Sequence, residues 1–275
     1  MHSDASLMNS QYGRSNLMER ITTAVERAGK SLEHLSLDDL ALFDELHAGG
    51  REATRALANL AGLQPGKHIL DVGSGIGGPA RTLASEYGCQ VVGLDITEEF
   101  VEVATTLTGK VGLSNQVTFR QGSALNLPFD EGTFDVVWSQ NTFMNIEDKE
   151  TAIKEAARVL RPEGIFALET ILAGGKDGLE YPVFWADQAD ISFLATPEEL
   201  RRLMTQAGLI ELEWKDFTQW ALEAARRQQV IRPEDRPVLG RQVVLEDVPI
   251  KGRNTLRGLE QGQIIDIRAI FRRTP

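Results

Sequence analysis

The segment HILDVGSGIGGPARTLA, residues 68–84, limits the possible folds more than any other part of the chain. A short apolar run ends near an acid and gives way to Gly73, Gly75, Gly77 and Gly78, after which apolar residues return at helical spacing. A strand that stops in glycines and restarts as a helix is the opening of a βα crossover, the unit of parallel sheets with helices on both faces. In such sheets ligands bind beyond the carboxyl ends of the strands, where this loop lies. Glycines there permit a tight turn, close approach of a ligand and close packing of helix on strand, and free amides at the helix start favour an anionic group. Gly73, Gly75 and Gly78 satisfy G-x-G-x-x-G, the dinucleotide spacing; the same glycines also suit an unspecific turn.

The rest of the chain continues the alternation. KHILDV, QVVGLDI, QVTFRQG, FDVVWSQ, GIFALETIL, IELEWKDF and GQIIDIRAIFRR read as strands, with helical segments between most of them. Residues 14–62 read as mostly helical: SLDDLALFDEL opens with a serine cap and an acidic first turn, and REATRALANLAGL carries apolar residues at helical spacing. We expect residues 1–62 to form an N-terminal helical extension and cap, and residues 63–275 the main domain. Within that domain, 173–196 reads as a lid or substrate segment, and the polar, partly helical stretch 218–262 as an insertion before the last strand.

Composition narrows the function. Lys and Arg number 29 against 40 Asp and Glu, a net charge of −11, which argues against nucleic acid as the main partner. Cys89 is the only cysteine, so no intrachain disulfide or thiolate zinc cluster is available. His2, His34, His47 and His68 lack metal-ligand spacing, and we expect no metal. The first twenty residues lack the apolar core of a signal peptide, and no apolar run approaches the roughly 18 residues of a membrane span. The expectation is a cytoplasmic protein; the sequence leaves its oligomeric state open.

Two acids refine the glycine loop. Asp95, ending VVGLD, stands where a carboxylate accepts both hydroxyls of a ribose, although it also suits a helix cap. Asp71 lies two residues before Gly73, where a carboxylate can hold a ligand's ammonium, directly or through water, and repels a pyrophosphate. It can equally organise the loop by accepting from backbone amides.

The motifs ILDVGSGIGGPARTLA, VVGLDIT, RQGSALNLPFDEGTFDVVWSQ and EAARVLRPEGIFALET follow in order. As a set they resemble the class I S-adenosylmethionine-dependent methyltransferases over about residues 45–215. The GIGGPAR form is most similar to the branch of sarcosine/dimethylglycine N-methyltransferases and sterol and tocopherol C-methyltransferases. The resemblance implies an α/β, Rossmann-like, seven-stranded, mostly parallel sheet with one antiparallel strand, helices on both faces and an N-terminal helical cap. It implies S-adenosyl-L-methionine as cofactor, with Gly73 and Gly75 along its methionine part, Asp95 on the ribose, Ile96 on the adenine, Ser123 and Ala124 at the adenine edge, and Gln140 and Asn141 beneath the methionine moiety. Two positions depart from the pattern: many relatives have an acid at Ser123 and a histidine at Asn145.

Methyl transfer from a sulfonium is an in-line displacement, so the protein chiefly aligns the reactants and excludes water. A base is needed only for an acceptor that arrives protonated. His47, beside the pair Gly49 and Gly50, is the candidate base or acceptor-positioning group, and positioning is the favoured role; the glycines also suit a helix C-cap. Tyr181, Phe184, Trp185 and Phe193 form a candidate pocket wall or lid, and Phe143, Met144 and Asn145 candidate acceptor contacts, although Met144 suits the core equally well. The leading expectation is N-methylation of a small amine or amino acid. C-methylation of a prenyl, sterol or quinone-like acceptor is the alternative. A nicotinamide-dependent dehydrogenase would share the glycine loop and Asp95 without explaining Asp71, and a binding module would keep the cofactor and lose the acceptor.

Overall fold

The computed structural model describes residues 16–230 and 237–275. The expectations for the first fifteen residues, and for 231–236 of the insertion, lie outside the described residues.

Among the described residues, seven strands form one sheet: β1 (His68–Val72), β2 (Gln90–Asp95), β3 (Val117–Gln121), β4 (Phe134–Gln140), β5 (Leu160–Ala173), β6 (Leu209–Asp216) and β7 (Ile264–Arg273). Their order is β3-β2-β1-β4-β5-β7-β6. β1 to β5 pair in parallel, while β7 runs antiparallel to both β5 and β6. Side chains alternate across a strand, and both faces of the central strands are buried. Leu70, Val72, Val137 and Leu168 pack on one side, where α6 (Lys149–Val159) and α7 (Pro197–Gln206) cover the sheet. Ile69, Val136, Trp138 and Ala167 pack on the other, against α3 (Arg51–Leu60) and α4 (Gly78–Tyr87). This two-sided burial explains why β1 and β4 read as apolar runs rather than alternating ones.

The N-terminal segment is tied to the sheet. In α1 (Leu17–Arg27), Leu17, Ile21 and Val25 face one stripe, because three to four residues make one helical turn. They pack on Phe100, Val103 and Leu107 of α5 (Glu98–Lys110), and on Val243 and Leu245 of the insertion. The insertion contributes α8 (Thr218–Gln229) and α9 (Val248–Gln261), which lie against each other.

The expected helix over 36–46 is corrected. Helix is limited to α2 (Leu37–Leu40), with Ser36 and Asp39 forming a reciprocal capping box. The chain then turns, so that Phe43, Asp44 and Glu45 are all buried. Arg81 of α4 grips Asp44 at 2.8 Å and also donates to the carbonyl of Ile76. These partners, distant in sequence, outweigh local helix propensity. β5 also begins earlier than the sequence implies, at Leu160, and carries Pro162 and a left-handed Glu163 where its pairing with β4 shifts register.

Candidate functional site

A cavity of about 1080 Å³ opens at the carboxyl ends of β1, β2 and β4. Its floor is the glycine loop. Gly73 and Gly75 have φ of 77° and 53°, in the left-handed region that favours glycine. A β-carbon on Gly78 would fall 2.5 Å from the carbonyl oxygen of Asp44, so glycine also lets α4 start against the N-terminal segment.

Asp95 lines the cavity and is nearly buried. Its Oδ2 accepts from the Gly75 amide at 2.8 Å and its Oδ1 from the Thr97 amide at 2.9 Å. It therefore caps the turn after β2 and fixes the glycine loop. Each oxygen keeps a second lone pair for a ligand hydroxyl. Burial pushes its carboxyl above the usual range, opposed by the Thr97 and Gly75 amides. Asp71 lies behind the loop, fully buried, and does not line the cavity. Its Oδ2 has no hydrogen-bond partner, and burial, reinforced by Asp95 and Glu45, pushes its carboxyl up to about 8. Thus the loop combines open glycine backbone, a ribose-type carboxylate and a buried acid short of a cation. Those features fit a nucleoside cofactor carrying an ammonium group.

Ile96, Ser123, Ala124, Gln140 and Asn141 all line the same cavity. Ser123 Oγ accepts from the Leu125 amide at 3.2 Å. Gln140 Oε1 accepts from Trp138 at 2.9 Å and lies 3.1 Å from the Thr54 hydroxyl, whose one proton it shares with Glu45, and its Nε2 donates to Glu169 at 3.2 Å. Asn141 has a left-handed φ of 52° and an unpartnered buried Oδ1.

His47 also lines the cavity. Its Nε2 meets Glu45 Oε2 at 2.8 Å and Thr54 Oγ1 at 3.2 Å, while Nδ1 is buried without a partner. Burial alone would lower the imidazole pKa, but the Glu45 hydrogen bond and charge outweigh it and raise the value. Glu45 is held in turn by Thr82 and Thr54, each at 2.9 Å. Asn145 lines the cavity too, yet its amide donates to the carbonyls of Trp185 at 2.6 Å and Ile191 at 3.1 Å. It pins the segment above it.

The aromatic expectations divide. Trp185 and Phe184 line the cavity, with Trp185 Nε1 donating to Ser192 at 2.9 Å. Phe143, Tyr181 and Phe193 do not line it. Phe143 is corrected to a core residue, its ring tilted 5.7 Å from that of Phe166, because the short 3₁₀ turn over 143–145 points it into the sheet. Met144 lines the cavity in its place. Tyr181 packs in the cluster beneath Trp185, and the backbone of Phe193 is used to bind Met144 and Lys149.

Sequence reasoning missed the insertion's part in the walls. Trp220, Ala221, Ala224 and Ala225 of α8 line the cavity, as do Arg241 and Asp266. A β-carbon on Gly49 would lie 1.9 Å from the Trp220 ring, so the indole is seated on bare backbone beside His47. Arg241 donates to the His47 carbonyl at 2.6 Å. One available signal was the lone tryptophan on a helix whose same face carries small residues at positions 221, 224 and 225.

The strand order with β7 reversed, the glycine loop after β1 and the bonded carboxylate ending β2 define a doubly wound α/β protein of methyltransferase topology. Residues 70–168 match the family described as methyltransferase domain. The 27-O-demethylrifamycin SV methyltransferase of Amycolatopsis mediterranei is 30% identical over 213 residues, covering 75% of this chain and 78% of that protein. The sarcosine/dimethylglycine N-methyltransferase of Halorhodospira halochloris is 32% identical over 158 residues. That match covers 57% of this chain and 56% of the relative, just over half of its length. The solved structure of Haemonchus contortus phosphoethanolamine N-methyltransferase 2 with S-adenosyl-L-methionine superposes with a TM-score of 0.76, at 18% identity. It covers 100% of this chain and 61% of that one, and so shares the fold. The chain belongs to the S-adenosylmethionine-dependent methyltransferase family. Among the described residues no group of His, Cys, Asp and Glu is arranged to hold a metal ion, and no helix is long and apolar enough to cross a membrane.

Proposed function

We propose that the chain transfers a methyl group from S-adenosyl-L-methionine to the nitrogen of a small amine or amino acid. The observation that carries this reading is the continuity of one cavity, from the glycine loop and Asp95 to a chamber walled by Trp185, Trp220, His47 and Asp266. Its volume of about 1080 Å³ is at the upper end of ordinary ligand pockets, with room for a nucleoside cofactor and an acceptor together. Aromatic faces and carboxylates suit a cationic acceptor.

When bound, the cofactor supplies an electrophilic methyl group on a sulfonium. Asp95 would hold its ribose, and Asp71 would compensate its ammonium from behind the loop. Gln140, locked by Trp138 and Glu169, gives the acceptor end a rigid floor. Trp185 and Trp220 line the chamber with apolar surface that displaces water from a bound acceptor. Such alignment and exclusion are what an in-line displacement asks of a protein. Glu45 favours the charged imidazole of His47, which makes Nδ1 a hydrogen-bond donor toward the cavity rather than a proton acceptor. In this reading His47 positions the acceptor, which binds as its ammonium and loses one N–H proton to solvent before the nitrogen attacks. Asn145, already donating to two carbonyls, offers no base.

Two measurements test the reading. Calorimetry should show tight binding of S-adenosylhomocysteine and none of NADH. Transfer of label from methyl-labelled cofactor should then occur with amines. The apolar walls from Met144, Ile171, Phe184 and Leu259 favour one second reading, C-methylation of a prenyl, sterol or quinone-like acceptor. Label transfer to such an acceptor and to no amine would establish it instead.

A further inference from the structure

On the cavity side of the sheet, β5 and β7 place three charges together. Glu169 and Arg268 are register partners, and Asp266 follows two residues away on the same face of β7. Glu169 is 0% exposed, Arg268 1% and Asp266 0%. Arg268 Nε donates to Glu169 Oε2 at 2.9 Å, and its guanidinium lies 4.0 Å from the Phe217 ring centroid and 5.1 Å from that of Trp220. That pair is therefore held. Asp266 is different: it lines the cavity, and neither of its carboxylate oxygens has a partner. Its neighbour Glu169 has a second oxygen, Oε1, that is also unpartnered.

A buried, unpaired carboxylate is costly, and one partnered by a bound cation is not. Once Asp266 is ionised, two carboxylates against one guanidinium leave a formal charge of −1, so this corner of the cavity is matched to a single positive charge. Trp220, also in the cavity wall, adds an aromatic face of the kind that attracts ammonium groups.

We propose that Asp266 is the acceptor-binding carboxylate, which takes the N–H groups of a primary or secondary alkylammonium and sets the enzyme's preference for amines over alcohols. This rests on the N-methyltransferase reading above and names the group that would make it so. The ammonium would dock on Asp266 with Trp220 over it, while Glu169, which lies outside the cavity lining, adds only its charge to the local field. Burial pushes the Asp266 carboxyl well above its ordinary range, with the Glu169 charge adding to the effect and Arg268 opposing it. The site is thus poised to ionise when a cation arrives. The geometry also explains why β7 carries an acid within an otherwise apolar strand start, IIDI.

The test is equilibrium binding to the full-length protein saturated with S-adenosylhomocysteine. The probes are glycine, ethylamine and benzylamine, paired with glycolate, ethanol and benzyl alcohol. Asp266→Asn keeps the shape and removes the charge; Asp266→Leu removes both unpartnered oxygens and serves if the amide variant folds poorly. The wild type should bind amines over their matched alcohols. Either variant should lose about ten- to hundredfold in amine affinity, the range for a charge-assisted hydrogen bond. Alcohol affinity and S-adenosylhomocysteine affinity should stay within twofold. In turnover the loss should fall on KM more than on kcat. A wild type that binds amines, with variants that bind them equally well, overturns the role of Asp266 and leaves N-methylation standing. A wild type that binds alcohols or prenyl acceptors and no amine overturns both.

Discussion

Asp95 braces the glycine loop and, in the proposed reading, also holds the cofactor ribose. Its oxygens accept from the Gly75 and Thr97 amides and would be the acceptors offered to a ribose. Asp95→Ala should weaken S-adenosylhomocysteine by about 1.5–3 kcal/mol, the range for hydrogen bonds to a charged group. Equal calorimetric affinity in wild type and variant would remove Asp95 from the cofactor site. His47 poses a sharper question. General-base help typically contributes about 10²–10⁴-fold, whereas a positioning donor mostly affects acceptor binding. His47→Gln should therefore lower kcat by less than about tenfold, well short of the general-base range, while KM for the acceptor rises. Because Glu45 raises the imidazole pKa, the donor is present at low pH and disappears as pH rises through the raised value. Acceptor affinity should fall on that alkaline side, and Glu45→Gln should move the fall to lower pH. A hundredfold loss of kcat in His47→Gln, with loss of an acidic limb in the rate profile, would make His47 the base instead.

Among the elements, the cap over the cavity depends on one close approach. α8 rests its Trp220 ring on Gly49, whose φ of 82° is itself in the glycine region. Gly49→Ala should lower Tm, since overpacking typically costs about 1–3 kcal/mol and a left-handed alanine about 1–2 more. Trp220→Ala makes room for the new methyl, so the double variant should lose less than the two single losses combined. Strict additivity of the three melting shifts would show that α8 does not seat on this glycine. The same contact shows what was legible beforehand. β1, β2 and β4 could be located to within a residue or two because their apolar runs are bounded by turns and buried on both faces. The glycine loop was legible because its spacing reflects backbone geometry. The turn over 41–50 was not, because burying Asp44 and Glu45 depends on Arg81 and Thr82, distant in sequence, together with Thr54 of the following helix. Phe143 was misplaced for a related reason: three consecutive side chains on a 3₁₀ turn point in different directions, and only the tertiary fold decides which meets the core. The walls from α8 escaped notice because a mostly polar helix with alanines toward the cavity has no strong apolar period.

For the molecule as a whole, the buried acids set the response to pH. Burial, together with the Glu45 charge and against Arg81, holds Asp44 up at about 6, and Asp71 is pushed up to about 8. Asp95, Asp266 and His47 are raised as well. Each of these groups binds protons more tightly in the folded chain than in the unfolded one. Stability then falls as pH rises wherever the folded state holds the extra protons. For the acids this window opens near their unfolded values around 4 and closes at their folded values, up to about 8. For His47 the contribution is complete below about 6.5 and is lost as pH rises through its raised pKa. A net charge of −11 acts in the same direction, since acidification relieves self-repulsion. Asp39, held at about 2 by Lys30, loses its contribution only below this window, and Lys149, lowered by burial to about 8, opposes the trend only at its upper edge. The ligand-free protein should therefore melt higher at pH 5.5 than at pH 8. The cofactor's ammonium should change this balance at one residue. It favours the ionised form of Asp71, so binding S-adenosylhomocysteine near pH 7 should expel a proton from that carboxyl. Calorimetry in two buffers of different ionisation enthalpy should detect that release, approaching one proton per ligand, and Asp71→Asn should abolish it. Binding without proton release in the wild type would mean that Asp71 only shapes the loop, and that the ammonium is held elsewhere.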